Sequence, residues 1–146
     1  MIETIGSILR TKGQAIWSIA PEATVYDAIA LMAEKGIGAV LVISDRLHGI
    51  VSERDYARKV ILQGRSSKDT RVEEIMTRDL VTVSPENTVD ECMRIVTDHR
   101  IRHLPVLGRG ELVGIVSIGD LVRTVIADQA HTIDQLHTYI GSKYPA

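Results

Sequence analysis

The sequence predicts an α+β module in which one strand-helix-hairpin-helix unit is written twice. Three observations carry this. Gly49 to Asp55, GIVSERD, returns as Gly114 to Asp120, GIVSIGD; each is a short apolar strand that ends in Ser, passes two residues and meets an Asp where a helix should open. The flanks align as well, Pro21-Glu22-Ala23-Thr24-Val25 with Pro85-Glu86-Asn87-Thr88-Val89 at an offset of 64, and the heptads at 65. Apolar residues make up 45% of the 146 and Phe is absent, so the core must be built from Ile, Val, Leu, Ala and Met, whose β-branched share favours strands. A repeat of this length is a supersecondary unit that needs a neighbour to bury its apolar face, so the copies are expected to pack together.

Residues 2–9 read as a short helical or extended arm, and Gln14 to Ile19 as a strand in which Trp17 is a core or dimer-interface residue. Thr24 is the expected N-cap of a helix over Val25 to Lys35, with Val25, Ala28, Ile29 and Met32 on one stripe and Gly36 as its stop. Gly38 to Ile43 and Leu47 to Val51 then form a hairpin through Ser44-Asp45-Arg46. A helix over Asp55 to Leu62 follows, with Tyr56, Val60 and either Ile61 or Leu62 inward. The polar run QGRSSKDT, Gln63 to Thr70, is the linker, and Val72 to Met76 a one-turn helix.

In the second copy Leu80 to Val83 is the expected lead strand, and Thr88 caps a helix whose inward stripe is Val89, Cys92, Met93 and Val96. Ile101 to Leu107 and Glu111 to Val116 form the hairpin around Gly108-Arg109-Gly110. Pro105 limits how many ladder bonds its strand can donate, which points to an edge or a gap in pairing. Asp120 to Ala127 is the closing helix, which Ile133 to Ile140 either extends or supplements. The first repeat with its arm and linker occupies 1–68 and the second with its helical extension 69–146, in one compact module.

Charge and cysteine usage narrow the function. A formal charge of -2 offers no field for nucleic acid or an acidic membrane surface, and no recognition helix is basic. The lone Cys92 excludes an intrachain disulfide framework and fits a reducing compartment; on its apolar stripe it reads as a packed thiol. No leader is recognisable ahead of the first repeat, and charges break every apolar run short of a membrane span, so the protein is expected to be cytoplasmic. His48, His99, His103, His131 and His137 lack the spacing of a metal site, and no nucleophile, base and orienting acid assemble into a catalytic set.

The Ser-x-x-Asp ending has two uses. Ser and Asp cap the helix that follows, or the free amides of that helix and the Ser hydroxyl hold a phosphate while the carboxylate accepts hydrogen bonds from a ribose diol. Near Ser117, Arg102 and His103 alternate across a strand, and an arginine fork suits a phosphate. The first copy offers Lys35-Gly36-Ile37-Gly38 there, whose glycines let a ligand approach the backbone, and a positive surface from Arg54, Arg58, Arg65 and Lys68. The two clefts are alike in build and unlike in charge, so unequal affinities are expected.

The ordered set Thr24-Val25 to Met32, Gly49-Ile50-Val51-Ser52 to Asp55, Met76-Thr77, Thr88-Val89 to Val96, Arg102-His103-Leu104-Pro105-Val106 and Gly114-Ile115-Val116-Ser117 to Asp120 resembles the tandem cystathionine-beta-synthase (CBS) domain pair, or Bateman module. The resemblance spans roughly residues 6–130. It implies a β-α-β-β-α fold in each half, the halves packed through their sheets with pseudo-two-fold symmetry, and modules paired into a flat homodimer. It further implies a non-catalytic energy- or redox-sensing regulator of a separate, unidentified protein effector. AMP heads the implied ligands, ahead of ADP, ATP, NAD(H) and S-adenosylmethionine. Carried over, Asp120 holds the ribose and Ser117 the phosphate, with Thr82, Val83, Ile101, Arg102, His103 and Ile115 completing the slot. In the first cleft Asp55 and Ser52 take those roles, walled by Ser18, Ile19, Gly36, Ile37 and Gly38, with Arg54 nearby. Ile37-Gly38-Ala39-Val40 lacks the Arg-His-x-Pro of the second copy, which makes occupancy of the first cleft the less secure of the two. The competing reading is a protein-interaction or dimerisation module with no nucleotide, its clefts serving as empty caps.

Overall fold

The computed structural model describes residues 3–13 and 15–143, with side chains as far as residue 137. In chain order the elements are α1 (Ile5–Lys12), β1 (Ser18–Ile19), α2 (Val25–Lys35), β2 (Ala39–Ile43), β3 (Leu47–Ser52), α3 (Glu53–Lys59), α4 (Val72–Ile75), α5 (Val89–His99), β4 (His103–Gly108), β5 (Glu111–Ser117) and α6 (Ile118–Lys143). Contacts divide the chain into two compact units, residues 15–81 in one, and the residues up to 13 together with the chain from Thr82 onward in the other.

The first-repeat unit follows the predicted order. Thr24 accepts a hydrogen bond from the Asp27 amide, α2 runs from Val25 to Lys35, and Gly36 ends it at a left-handed φ of 64°, a conformation that costs glycine nothing. The sheet has the order β1-β2-β3, with β1 parallel to β2 and β2 antiparallel to β3. Val25, Ala28 and Met32 pack into a core with Val40, Val42, Val51, Val60, Val72 and Ile75. Each of the buried Val, Ile and Met side chains stabilises the fold by about 1.5–3 kcal/mol through burial.

Three details here differ from the sequence reading. The strand expected from Gln14 forms only at Ser18–Ile19, and Gln14 itself lies outside the described residues. Trp17 is not a core residue of this unit; it is 41% exposed, with the Lys35 ammonium 4.3 Å above its ring. Neither Ile61 nor Leu62 turns inward, because α3 stops at Lys59 and a 3-10 turn over Ile61–Gln63 swings Leu62 out to 77% exposure.

The second-repeat unit repeats the design with one strand missing. Thr88 and Glu91 form a reciprocal capping box at the start of α5, which buries Val89, Cys92 and Val96. β4 and β5 pair as a two-stranded antiparallel hairpin through Arg109 and Gly110, both at left-handed φ. The expected lead strand Leu80 to Val83 shrinks to a single parallel bridge between Val83 and Val106. Proline explains it. In the first repeat the Leu41 amide donates to the Trp17 carbonyl at 3.2 Å, which ties the chain ahead of β1 to β2. The matching residue is Pro105, which has no amide hydrogen to give, so the ladder ends at Val83. The closing helix α6 is continuous through the segment that the sequence left as extension or separate helix.

The N-terminal arm is a helix, and it packs with the second repeat. Val89 donates to the Glu3 carbonyl, Ile5 to that of Asn87 and Gly6 to that of Pro85, each at 2.9 Å. These three bonds mirror a set in the first repeat, where Val25 donates to Thr70, Val72 to Ala23 and Glu73 to Pro21. α1 is therefore to the second repeat what α4 is to the first. Ile5, Ile8 and Leu9 stand where Val72, Ile75 and Met76 stand, all of them buried.

Candidate functional site

Each heptad delivers its Ser to the end of a strand and its Asp to the first turn of a helix. In the second repeat the Asp120 amide donates to Ser117 Oγ at 3.1 Å and the Ser117 amide donates to Asp120 Oδ2 at 2.8 Å. In the first repeat the Asp55 amide donates to Ser52 Oγ at 3.1 Å and the Ser52 amide to Asp55 Oδ2 at 3.0 Å. Both pairs are thus capping boxes, and the structural use of Ser-x-x-Asp is realised twice. The boxes leave one oxygen of each carboxylate uncommitted to the cap, and cations take it up.

Asp120 is 8% exposed and carries two cations. Arg123 donates to Oδ1 at 2.6 Å, and Lys12, the last residue of α1, donates to Oδ2 at 2.6 Å and to the Ile115 carbonyl at 2.8 Å. Burial would raise the Asp120 pKa, but the Lys12 ammonium and the Ser117 amide outweigh it and hold the carboxyl below its ordinary range. His103, paired with Ser117 across the hairpin, is pushed the other way for a base: burial first, then the Lys12 charge, lower its pKa, so the imidazole favours its neutral form. In the first repeat the partner of Asp55 Oδ1 is Lys59, one turn on in the same helix at 3.1 Å, which also donates to the Ile75 carbonyl at 2.9 Å.

Asp120 lines a cleft of about 640 Å³ between α1 and α6 with Glu3, Lys12, Arg123, Asp128 and His131 among its walls, and of the residues expected at the second cleft it is the one found there. That volume is within the range of small-molecule sites. Ser117, Asp120, Ile115 and His103 come together at this end of the hairpin, and Arg102 joins them through its carbonyl, which accepts from the Ile118 amide at 2.8 Å. The arrangement has its counterpart where the Glu53 amide donates to the Gly38 carbonyl at 3.0 Å, beside Ser52 and Asp55. Val83 is a buried core residue, Thr82 is exposed, and Ile19 and Ile37 pack against the first-repeat core. Sequence reasoning missed Lys12 and Arg123. Arg123 could have been found, since i and i+3 share a helix face; Lys12 carried no signal next to a residue 108 positions away.

The family comparison decides what this pair of repeats is. CBS domains match the chain twice, at residues 6–61 and 72–127. The chain belongs to the CBS domain family. A protein with CBS domains from Burkholderia ambifaria is 58% identical, with a TM-score of 0.83 over 86% of this chain and 96% of that one. The mitochondrial CBS domain-containing protein CBSX3 of Arabidopsis thaliana is 41% identical across 97% of this chain and 73% of its own length. The CBS domain pair of protein MJ0100, solved in complex with 5′-methylthioadenosine and S-adenosyl-L-methionine, shares the fold with a TM-score of 0.77 over 88% of this chain and 99% of that one, at 23% identity. CBS domain pairs are regulatory modules and not enzymes, and this chain is one of them. Among the described residues no cluster of His, Cys, Asp or Glu could hold a metal ion, and no helix is long and apolar enough to cross a membrane.

Proposed function

We propose that this CBS pair is a cytoplasmic sensor of adenine nucleotides, with AMP as the ligand of the second-repeat cleft, acting on a separate protein. The observation that carries the reading is Asp120: a nearly buried carboxylate, kept ionised, that lines a cleft of small-molecule size and is flanked by Lys12 and Arg123. An ionised carboxylate accepts both hydroxyls of a ribose, and two nearby cations suit its phosphate. Ser117 is the phosphate partner beside them, and Ser52 with Asp55 is the weaker equivalent, supplied with a cation by Lys59 alone. The adenosine compounds held by the MJ0100 pair support this choice of ligand class. The bound nucleotide acts by favouring whichever arrangement of the module it binds more tightly, which is how the effector senses it.

Calorimetric titration with AMP, ADP, ATP, NAD, NADH and S-adenosylmethionine tests this. AMP should bind saturably and raise the unfolding midpoint, and Asp120→Asn should weaken it by about tenfold or more, a loss on the scale of one charge-assisted hydrogen bond. Unchanged affinity in Asp120→Asn would remove the assignment. A second reading, self-association without nucleotide, draws on α6, where Val122, Ile126, Ile133 and Leu136 form an exposed apolar stripe. That stripe also supports a homodimer of CBS pairs, checked by sedimentation of the wild type against Ile126→Lys.

A further inference from the structure

We propose that Lys12 is a built-in occupant of the second-repeat site, holding Asp120 until a phosphate arrives, and that this makes the site select phosphorylated adenosine over the bare nucleoside. The inference rests on the nucleotide reading above and adds to it how the site discriminates. Lys12 spends two of its three donors on Asp120 Oδ2 and the Ile115 carbonyl. A ribose diol would offer hydrogen bonds to the same carboxylate, so ligand and ammonium compete for one acceptor.

In the first repeat Asp55 also has an ammonium, Lys59 of its own helix, but the strand carbonyl needs no lysine. The Ile50 carbonyl, counterpart of the Ile115 carbonyl, accepts from the Thr77 backbone amide at 2.8 Å. In the second repeat a movable ammonium replaces that fixed amide. Mobility is built into its position. α1 is anchored by buried Ile5, Ile8 and Leu9 and by its backbone bonds to residues 85–89, while Lys12 is the terminal residue of the helix with its side chain 35% exposed. A rotation about the four-carbon stem can release Asp120 without undocking the helix.

What the ammonium meets next depends on the ligand. Adenosine would displace it and bring no phosphate in exchange, leaving the ammonium to the cleft's other carboxylates, Glu3 and Asp128. AMP brings a dianion to the same wall, and the ammonium passes from carboxylate to phosphate. Arg123 stays on Oδ1 throughout and keeps the carboxylate paired.

The experiment is calorimetry of the whole chain with AMP and with adenosine, in wild type, Lys12→Arg and Lys12→Met, each first shown to unfold cooperatively. Wild type and Lys12→Arg should prefer AMP by about tenfold or more, and Lys12→Met should narrow the preference to about threefold or less by weakening AMP and strengthening adenosine. Lys12→Gln, which keeps a donor but no charge, should behave as Lys12→Met does and takes its place if the methionine variant fails to fold. If wild type binds both ligands and the uncharged variants keep the same ratio, the selection role is overturned and the nucleotide reading stands. Binding of neither ligand by wild type overturns both.

Discussion

Gly49 and Thr77 touch at their backbones: the Ile50 amide donates to the Thr77 carbonyl at 3.1 Å, and a Cβ on Gly49 would lie 2.6 Å from that carbonyl oxygen. Its repeat mate Gly114 faces Leu9 instead, with Leu9 Cδ2 2.8 Å from the Cβ position. A side chain can give way where a hydrogen-bonded carbonyl cannot. Gly49→Ala should therefore cost about 2–3 kcal/mol, and Gly114→Ala clearly less, the range expected of overpacking. Urea denaturation of the two variants checks the order, and equal losses would contradict it.

The two long helices of the repeats end in the same left-handed turn with different residues. Gly36 closes α2 at φ 64°, and Arg100 closes α5 at φ 55°. Nothing lies within 4 Å of a Cβ built on Gly36, so the backbone alone decides the effect. Gly36→Ala should destabilise by about 1 kcal/mol, with Arg100→Gly neutral or stabilising by a few tenths once unfolded-state entropy is counted. Thermal unfolding of both variants reads the difference.

Cys92 should be inert in the folded protein. It is fully buried on α5, and burial together with the neighbouring Glu91 charge pushes its pKa to about 11. The reacting species is the thiolate, so an aromatic disulfide reagent at pH 8 should label the chain only as fast as it unfolds. Labelling within seconds under native conditions would mean that α5 opens locally.

Stability should fall with pH in two separate windows. His103, half-buried and within range of the charges on Lys12, Asp120 and Arg102, has a folded pKa below its ordinary 6.5, so the unfolded chain binds its proton first. Its contribution is complete above 6.5 and is lost as pH drops below that value. Asp120, also depressed, contributes fully above its ordinary 3.8 and loses that contribution as pH falls through the lower folded value. Urea midpoints across pH 3 to 8 should show His103→Gln flattening the upper window and Asp120→Asn the lower.

Much of this was legible in the sequence because it depends on local rules. Thr24 and Thr88 announce their helices as caps, the stripe Val25, Ala28, Met32 fixes the inward face of α2, and the doubled heptad places both Ser-x-x-Asp turns. What escaped depends on partners distant in the chain. The lead segment before Val83 has an adequate strand composition, and the gap in pairing that Pro105 announces falls on this very segment and shortens it to one bridge. Trp17 reads as a core or dimer-interface residue by its chemistry, and the structure removes the core half of that reading, since Lys35 and solvent receive it within this unit. The arm was the largest omission. Ile5, Ile8 and Leu9 match Val72, Ile75 and Met76 at an offset of 67, a third periodicity that the 64 and 65 registers concealed.

The arm also sets an order of assembly. The unit of residues 15–81 is contiguous, so all its partners have left the ribosome soon after Thr77 is made. α1 is made before either repeat and finds its last described partners late, because Leu9 waits for Gly114 and Lys12 for Asp120, 108 residues on. Until residues 85–89 are made, Ile5, Ile8 and Leu9 wait for the segment that α1 bonds to. The pairing that guards the site at Asp120 thus forms only after both heptads have been made, and a chain stalled before Asp120 carries a complete first-repeat unit and an arm without its Lys12 anchor.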